Sequence, residues 1–121
     1  MSSPTSPAHP TLQVSCLCAE WCGTCKDYQA QFASLQQVFP QVAFQWIDIE
    51  DEAELVDPIE VDNFPTILIA RQGQARFFGS ITPHLETLRR LIQAHLEEDG
   101  AGTHPDGAVQ ALAARLLRRP S

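Results

Sequence analysis

Residues 12–26 read Leu12-Gln13-Val14-Ser15-Cys16-Leu17-Cys18-Ala19-Glu20-Trp21-Cys22-Gly23-Thr24-Cys25-Lys26, an apolar run that feeds directly into a Cys-x-x-Cys pair. Through residues 12–19 the side chains alternate, with Val14, Cys16 and Cys18 on one face and Ser15 and Leu17 on the other, which predicts a buried β-strand. Beyond the pair, Tyr28, Phe32, Leu35 and Phe39 recur at spacings of four, three and four, the buried stripe of a helix that ends before Pro40. Cys25 therefore falls in the first turns of a helix and Cys22 just ahead of it. All four cysteines lie within residues 16–25. A stapling framework would scatter them, so the clustering points to catalysis, sensing or metal binding.

Working outward, residues 42–49 (VAFQWIDI) predict a second buried strand, followed by an acidic loop and short helix over residues 48–54 that Pro58 limits. Asn63-Phe64-Pro65-Thr66 leads into a third strand, residues 66–70. Arg71-Gln72-Gly73-Gln74 turns the chain into a fourth, residues 75–78, which Gly79 closes. Thr82 and Pro83 suit the N-cap and first position of a helix carrying Leu85, Leu88, Leu91, Ile92 and Leu96 and ended by Gly100. A last amphipathic helix over residues 106–119 shows Val109, Leu112, Ala113, Leu116 and Leu117 on its apolar side, with Thr103 and Asp106 as its capping box. The expected class is α/β: a small mixed sheet of about four strands flanked by helices. The expected organisation is a flexible arm (1–10, rich in Ser and Pro), a domain (11–99), and a loop with a C-terminal helix (100–121).

The 121 residues, 44% of them apolar, suffice for one core, and the net charge of -7, from 15 acids against 8 bases, excludes nucleic acid as an expected partner. No apolar run approaches the roughly 18 residues of a membrane span, and residues 1–10 have neither a basic nor an apolar leader segment. A cytoplasmic protein without a membrane partner is the expectation. The four histidines are scattered and read as surface residues; no Gly-rich phosphate loop or HExxH is present, and no cofactor or metal is called for.

A cysteine just before a helix meets the positive end of the helix dipole and free N–H donors, which favour a nucleophilic thiolate. A second thiol one turn further on can resolve the mixed disulfide that the first one forms. Cys22 and Cys25 have these positions. Two alternatives stand beside this reading: a thiolate metal site completed by Cys16 and Cys18, and a binding module without redox turnover.

Ala19-Glu20-Trp21-Cys22-Gly23-Thr24-Cys25-Lys26 resembles the active site of thioredoxins, with Thr24 where proline is usual. Forty residues beyond Cys25, Phe64-Pro65-Thr66 resembles the family's cis-proline loop, and Gly73, Gly79 and the following helix fall in matching order. The resemblance covers about residues 11–98. It implies a thioredoxin-like fold and a thiol–disulfide oxidoreductase in which Cys22 attacks and Cys25 resolves. Trp21, Gly23, Thr24, Lys26, Phe64, Pro65 and Thr66 would support the site. The implied partners are protein disulfides and a thiol reductant such as a thioredoxin reductase or glutathione system, with a monomer favoured.

The departures from the family pattern are specific. Ahead of residue 12 the sequence is not expected to supply the first strand and helix of a thioredoxin, and the C-terminal helix is expected as an extra element, a candidate to cover the bared face of the sheet. Its Arg115, Arg118 and Arg119 would otherwise suit an acidic partner. The buried Asp–Lys pair of the family falls at Cys16 and Trp46, neither of which serves as an internal base. Cys16 and Cys18 are expected as inert buried thiols, the alternative being that Cys16 pairs with Cys25.

Overall fold

A computed structural model describes residues 12–19, 22–57, 59, 61, 63–97 and 104–118. Their order is β1 (Leu12–Cys18), α1 (Gly23–Val38), β2 (Val42–Asp48), α2 (Ala53–Val56), β3 (Thr66–Arg71), β4 (Gln74–Ser80), α3 (Leu85–Glu97) and α4 (Gly107–Arg118). The arm 1–10, Glu20, Trp21, Pro58, Gly100, Thr103 and Arg119 lie outside the described residues, as does the side chain of Arg118.

The strands form one sheet in the order β2-β1-β3-β4, parallel between β1 and β2 and antiparallel elsewhere. The parallel pair is the one whose connection contains a long helix, because a crossover needs α1 to return the chain to the same end of the sheet. The period-two alternation sorts the core into two layers. Val14, Cys16 and Cys18 of β1 pack with Ile67 and Ile69 of β3 beneath α1 and α3, where Cys25, Tyr28, Phe32, Leu35, Leu88 and Ile92 are buried. Leu17, Ile47, Leu68, Ala70 and Ala75 face the other way, onto Val109, Leu112, Ala113 and Leu116 of α4. The C-terminal helix therefore covers the face that α1 and α3 leave open.

Several junctions differ from the sequence expectation. β4 does not close at Gly79 but passes through it to Ser80, and a bulge between Ile69 and Ala70 pairs Ala70 with Ala75 and Ile69 with Phe77. The residue skipped in that pairing is Arg76, so Ala75 and Phe78 share a face although they are three apart. The β3–β4 turn has positive φ at Gln72 (53°) and Gly73 (82°), the signature of the tight hairpin turn that matches strand twist. A Cβ at Gly73 would lie 2.9 Å from Leu117 Cδ2. Leu117 thus rests on the turn, and it is 51% exposed rather than part of the apolar stripe. Helix α3 begins at Leu85, later than the Thr82-Pro83 signal, because the His84 N–H is held by the Thr82 carbonyl (2.8 Å) and the Thr82 hydroxyl contacts that of Thr87 (3.0 Å). Asp106 caps α4 itself, its Oδ1 accepting from the N–H groups of Ala108 (2.8 Å) and Val109 (3.4 Å).

α4 is also held by polar contacts. Gln110 accepts from the Ala75 N–H (2.9 Å) and donates to the Ala75 carbonyl (3.1 Å), in effect extending the edge of β4. Arg115 donates from Nε to the Leu55 carbonyl (2.9 Å) and from Nη2 to that of Asp57 (3.0 Å), which ties the end of α2 to α4. Arg115 thus has a role in the fold itself. His95 and His104 are half-buried against Phe77 and Phe78, so they are packing residues and not free surface histidines.

Candidate functional site

The Cys-x-x-Cys pair sits where β1 hands the chain to α1. The Cys22 N–H is bonded to the Ala19 carbonyl (3.0 Å), and Cys22 is the N-cap of α1, in extended conformation (φ -84°, ψ 119°), its own carbonyl accepting from Lys26 N–H (3.2 Å). Its side chain makes no capping hydrogen bond, so the sulfur is free for other work, and the residue is half-buried. Gly23, Thr24 and Lys26 are exposed around the first turn, while Cys25 points inward and is 1% exposed. Trp21 lies outside the described residues.

The second component enters from β3. Leu17 pairs with Thr66 in the antiparallel register, so Pro65 stands at the end of the sheet from which β1 leads to Cys22. The Phe64–Pro65 peptide bond is cis, as the resemblance implies. Thr66 Oγ1 donates to the Asn63 carbonyl (2.6 Å), and the Pro65 carbonyl accepts from Ile81 N–H (3.1 Å), which fixes the loop from both sides. Phe64 and Cys22 both pack, half-buried, against the same apolar layer.

On the opposite side of β1, toward β2, a cleft of about 470 Å³ is lined by Ala19, Cys25, Lys26, Gln29, Trp46, Asp48 and Asp51. Asp48 is opposite Cys18 in the β1–β2 register, and its Oδ1 accepts from the N–H groups of Glu50 (2.9 Å) and Asp51 (3.2 Å). In the sequence Asp48 is only the first residue of a solvated acidic run. The register, which sets it beside Cys18 at the head of the sheet, is what brings it next to the cysteines.

The cysteines themselves are paired differently from the expectation. Cys25 is disulfide-bonded to Cys18, with a Cα–Cα separation of 5.9 Å, while Cys16 and Cys22 are free. Cys18 is thus no inert thiol, and Cys16 is not the partner of Cys25. The reason is position along the strand. Cys16 and Cys18 share a face, but Cys18 is the last residue of β1 and stands nearest the first turn of α1, whereas Cys16 is two residues, roughly 6–7 Å, further back. The shared-face parity is readable in the sequence; the height of α1 along β1 is not. Among the described residues no three His, Cys, Asp or Glu side chains come together to hold a metal ion.

Cys16 is fully buried and is paired in register with Trp46, whose ring meets Phe32 edge-on at 5.7 Å. Burial pushes the Cys16 thiol above the usual thiol range. Burial, and secondarily the Cys16 sulfur, likewise pushes the Tyr28 hydroxyl up, and that hydroxyl has no hydrogen-bond partner among the described residues. The Cys16 position behind Cys25 therefore carries no carboxylate, and the carboxylates that share a lining with Cys25 are those of Asp48 and Asp51 in the cleft. A thiol whose folded-state pKa is raised stays protonated while the unfolded chain ionises above about pH 8.5, so its contribution to stability is present below that pH and declines above it. The urea-unfolding free energy of the oxidised protein is expected to fall between pH 8.5 and 10, approaching about 1.4 kcal/mol per pH unit from this one group. Cys16→Ala should flatten that slope by about one proton, and an unchanged slope in the variant would refute the assignment.

The family model for thioredoxin matches residues 9–94 of the chain. The chain belongs to the thioredoxin family. Thioredoxin from Sus scrofa is 34% identical over 77 residues, which cover 61% of this chain and 73% of that protein. Mitochondrial thioredoxin-3 from Saccharomyces cerevisiae is 34% identical over 56 residues, covering 46% of this chain and 44% of its own length. The chain spans about half the length of several such relatives (44, 48 and 51%). Among solved structures, thioredoxin from Trypanosoma brucei brucei superposes with a TM-score of 0.65 at 27% identity, over 75% of this chain and 80% of that one. The oxidised form of the yeast mitochondrial protein gives a TM-score of 0.62 at 27% identity, over 70% of this chain and 79% of that one. Within this thioredoxin-family chain, no helix of the described residues is long and apolar enough to cross a membrane.

Proposed function

We propose that this protein is a thiol–disulfide oxidoreductase acting on protein disulfides, with Cys22 as the attacking and Cys25 as the resolving thiol. The observation that carries the reading is the position of Cys22: a half-buried, free thiol at the N-cap of α1, at the sheet end where the cis Phe64–Pro65 loop also lies. The Cys22 sulfur makes no capping hydrogen bond and stands partly open at the first turn of α1, where a substrate disulfide can reach it. Attack of the Cys22 sulfur on a substrate disulfide gives a mixed disulfide and expels one substrate thiol. Attack of Cys25 on the Cys22 sulfur then frees the second. Gly23, Thr24 and Lys26, exposed around the first turn, and half-buried Phe64 supply the docking surface for an extended substrate segment, with buried Pro65 and Thr66 holding the Phe64 loop in place. Reducing equivalents come from a thiol system such as a thioredoxin reductase or glutathione. The protein acts in the cytoplasm as a monomer, in electron transport and cell redox homeostasis, without nucleic acid or a membrane as partner.

The division of labour between the two thiols is tested by trapping. Cys25→Ser should accumulate a covalent mixed disulfide between Cys22 and a reducible protein substrate, visible on non-reducing gels and released by dithiothreitol. Cys22→Ser/Cys25→Ser should capture none. Equal capture by both variants would overturn the assignment of Cys22.

A further inference from the structure

Cys25 has two cysteines within disulfide reach, and the fold provides for both. It is bonded to Cys18 at the end of β1, at a Cα–Cα distance of 5.9 Å. Cys22 is the N-cap of the same helix, three residues before Cys25, and one helical turn sets such residues roughly 5–6 Å apart, inside the range that a disulfide spans. A single Cys25 sulfur serves one of them at a time. With Cys18 bonded, Cys22 is left as a free, half-buried thiol whose resolving partner is occupied.

We propose that Cys18 is a third redox-active cysteine, which moves the active-site disulfide from Cys22–Cys25 to Cys18–Cys25 and returns Cys22 to its thiol form. The proposal rests on Cys22 being the attacking thiol. In the step, Cys18 gives up its proton and its sulfur electron pair forms the new bond to Cys25 Sγ. The Cys22–Cys25 bond breaks, its electron pair leaves on the Cys22 sulfur, and that sulfur takes up a proton. One disulfide is exchanged for another, so no external oxidant or reductant enters. Summed with the two preceding steps, a substrate disulfide and the thiols of Cys18 and Cys25 become two substrate thiols and the Cys18–Cys25 bond.

The surroundings favour this direction and its reversibility. Cys18 is held at its station, within bonding distance of Cys25, by the β1–β2 pairing with Asp48 and by the bond from Ile49 N–H to its carbonyl (2.9 Å). Both bonded cysteines are 1% exposed, so the stored disulfide is out of reach of a bulky reductant and reopens when Cys22 attacks Cys25 again. In the stored state Cys22 still forms a mixed disulfide, but an external thiol must release it. The protein thereby changes from a dithiol reductant into a single-thiol acceptor once it has turned over without being reduced.

The chain offers a direct assay, because between residues 1 and 26 Glu20 is the only Asp or Glu and Lys26 the only Lys or Arg. Cleavage after both separates Cys16 and Cys18 from Cys22 and Cys25. A Cys18–Cys25 bond then ties the two peptides together, and a Cys22–Cys25 bond does not. The fully reduced chain is mixed with one equivalent of oxidised glutathione, quenched with iodoacetamide at intervals and mapped by mass spectrometry. The expected course is an early Cys22–Cys25 form that gives way to tied peptides with Cys22 alkylated. Cys16→Ala should keep the tie. Cys18→Ala should stop at Cys22–Cys25, with Cys22 protected from alkylation. Cys22→Ser should tie the peptides roughly tenfold more slowly or worse, since the buried pair loses its accessible entry point. A wild-type protein that stays at Cys22–Cys25, or a tie that forms as fast in Cys22→Ser, overturns the proposal. Neither result touches the oxidoreductase reading, which falls if the wild-type protein reduces no protein disulfide, while the role of Cys22 in it falls if Cys22→Ser reduces them at the wild-type rate.

Discussion

Cys22→Ser is expected to bring dithiothreitol-driven reduction of insulin disulfides down to the uncatalysed background. A hydroxyl at this point does not attack a disulfide sulfur, and Cys25 is too buried to take over, at 1% exposure and in competition with Cys18. The loss will not be a folding defect. Cys22 is an N-cap whose side chain makes no capping bond, and serine is among the favoured N-cap residues. The variant should therefore unfold at the same or a higher urea concentration, with a gain of up to about 1 kcal/mol if the hydroxyl caps the first turn. Full insulin reduction by this variant would remove Cys22 from the mechanism.

The second large effect concerns stability and lies at the other face of the sheet. Leu112 and Leu116 are 0% and 1% exposed, packed on the layer that includes Leu17, Leu68 and Ala75. Leu112→Ala should cost about 2–5 kcal/mol, the range for deleting a buried leucine side chain and leaving a cavity. That is a large part of the roughly 5–15 kcal/mol that holds a domain together. Leu117→Ala, on the half-exposed side of the same helix, should cost far less, about 0.5 kcal/mol. Removing residues 104–118 altogether exposes the whole second layer and should abolish cooperative unfolding by urea. A truncated chain with an unchanged midpoint would mean that α4 is not part of the core and would return its arginines to the reading in which they meet an acidic partner.

The difference in legibility between the two layers has a physical basis. Alternation in β1 and the stripe Tyr28, Phe32 and Leu35 of α1 follow from periodicities of two and about 3.6, so the faces and the elements on them are readable from residue order. The bulge at Ile69/Ala70 breaks that period near the start of β4 without any glycine to mark it, and the end of β4 is misplaced because Gly79, which reads as a terminator, is paired with Ile67 inside the ladder. The start of α3 is masked because an apparent N-cap, Thr82, has its hydroxyl on Thr87. The candidate site is legible where its residues are close in the chain, from Cys22 to Lys26, and where a proline marks a loop, at Pro65.

By itself, then, the sequence determined that Cys22 precedes a helix, that Cys25 lies one turn inside it, and that Cys16 and Cys18 share the face of a buried strand. Which of those two meets Cys25 is a different kind of question. It depends on how far α1 is displaced along β1, a distance set by the β1–β2 register and by the layer of Phe32, Trp46 and Ile67 between helix and sheet. Periodicity fixes the direction in which a side chain points but not its height against a partner that is remote in the pairing. Only the tertiary structure selected Cys18.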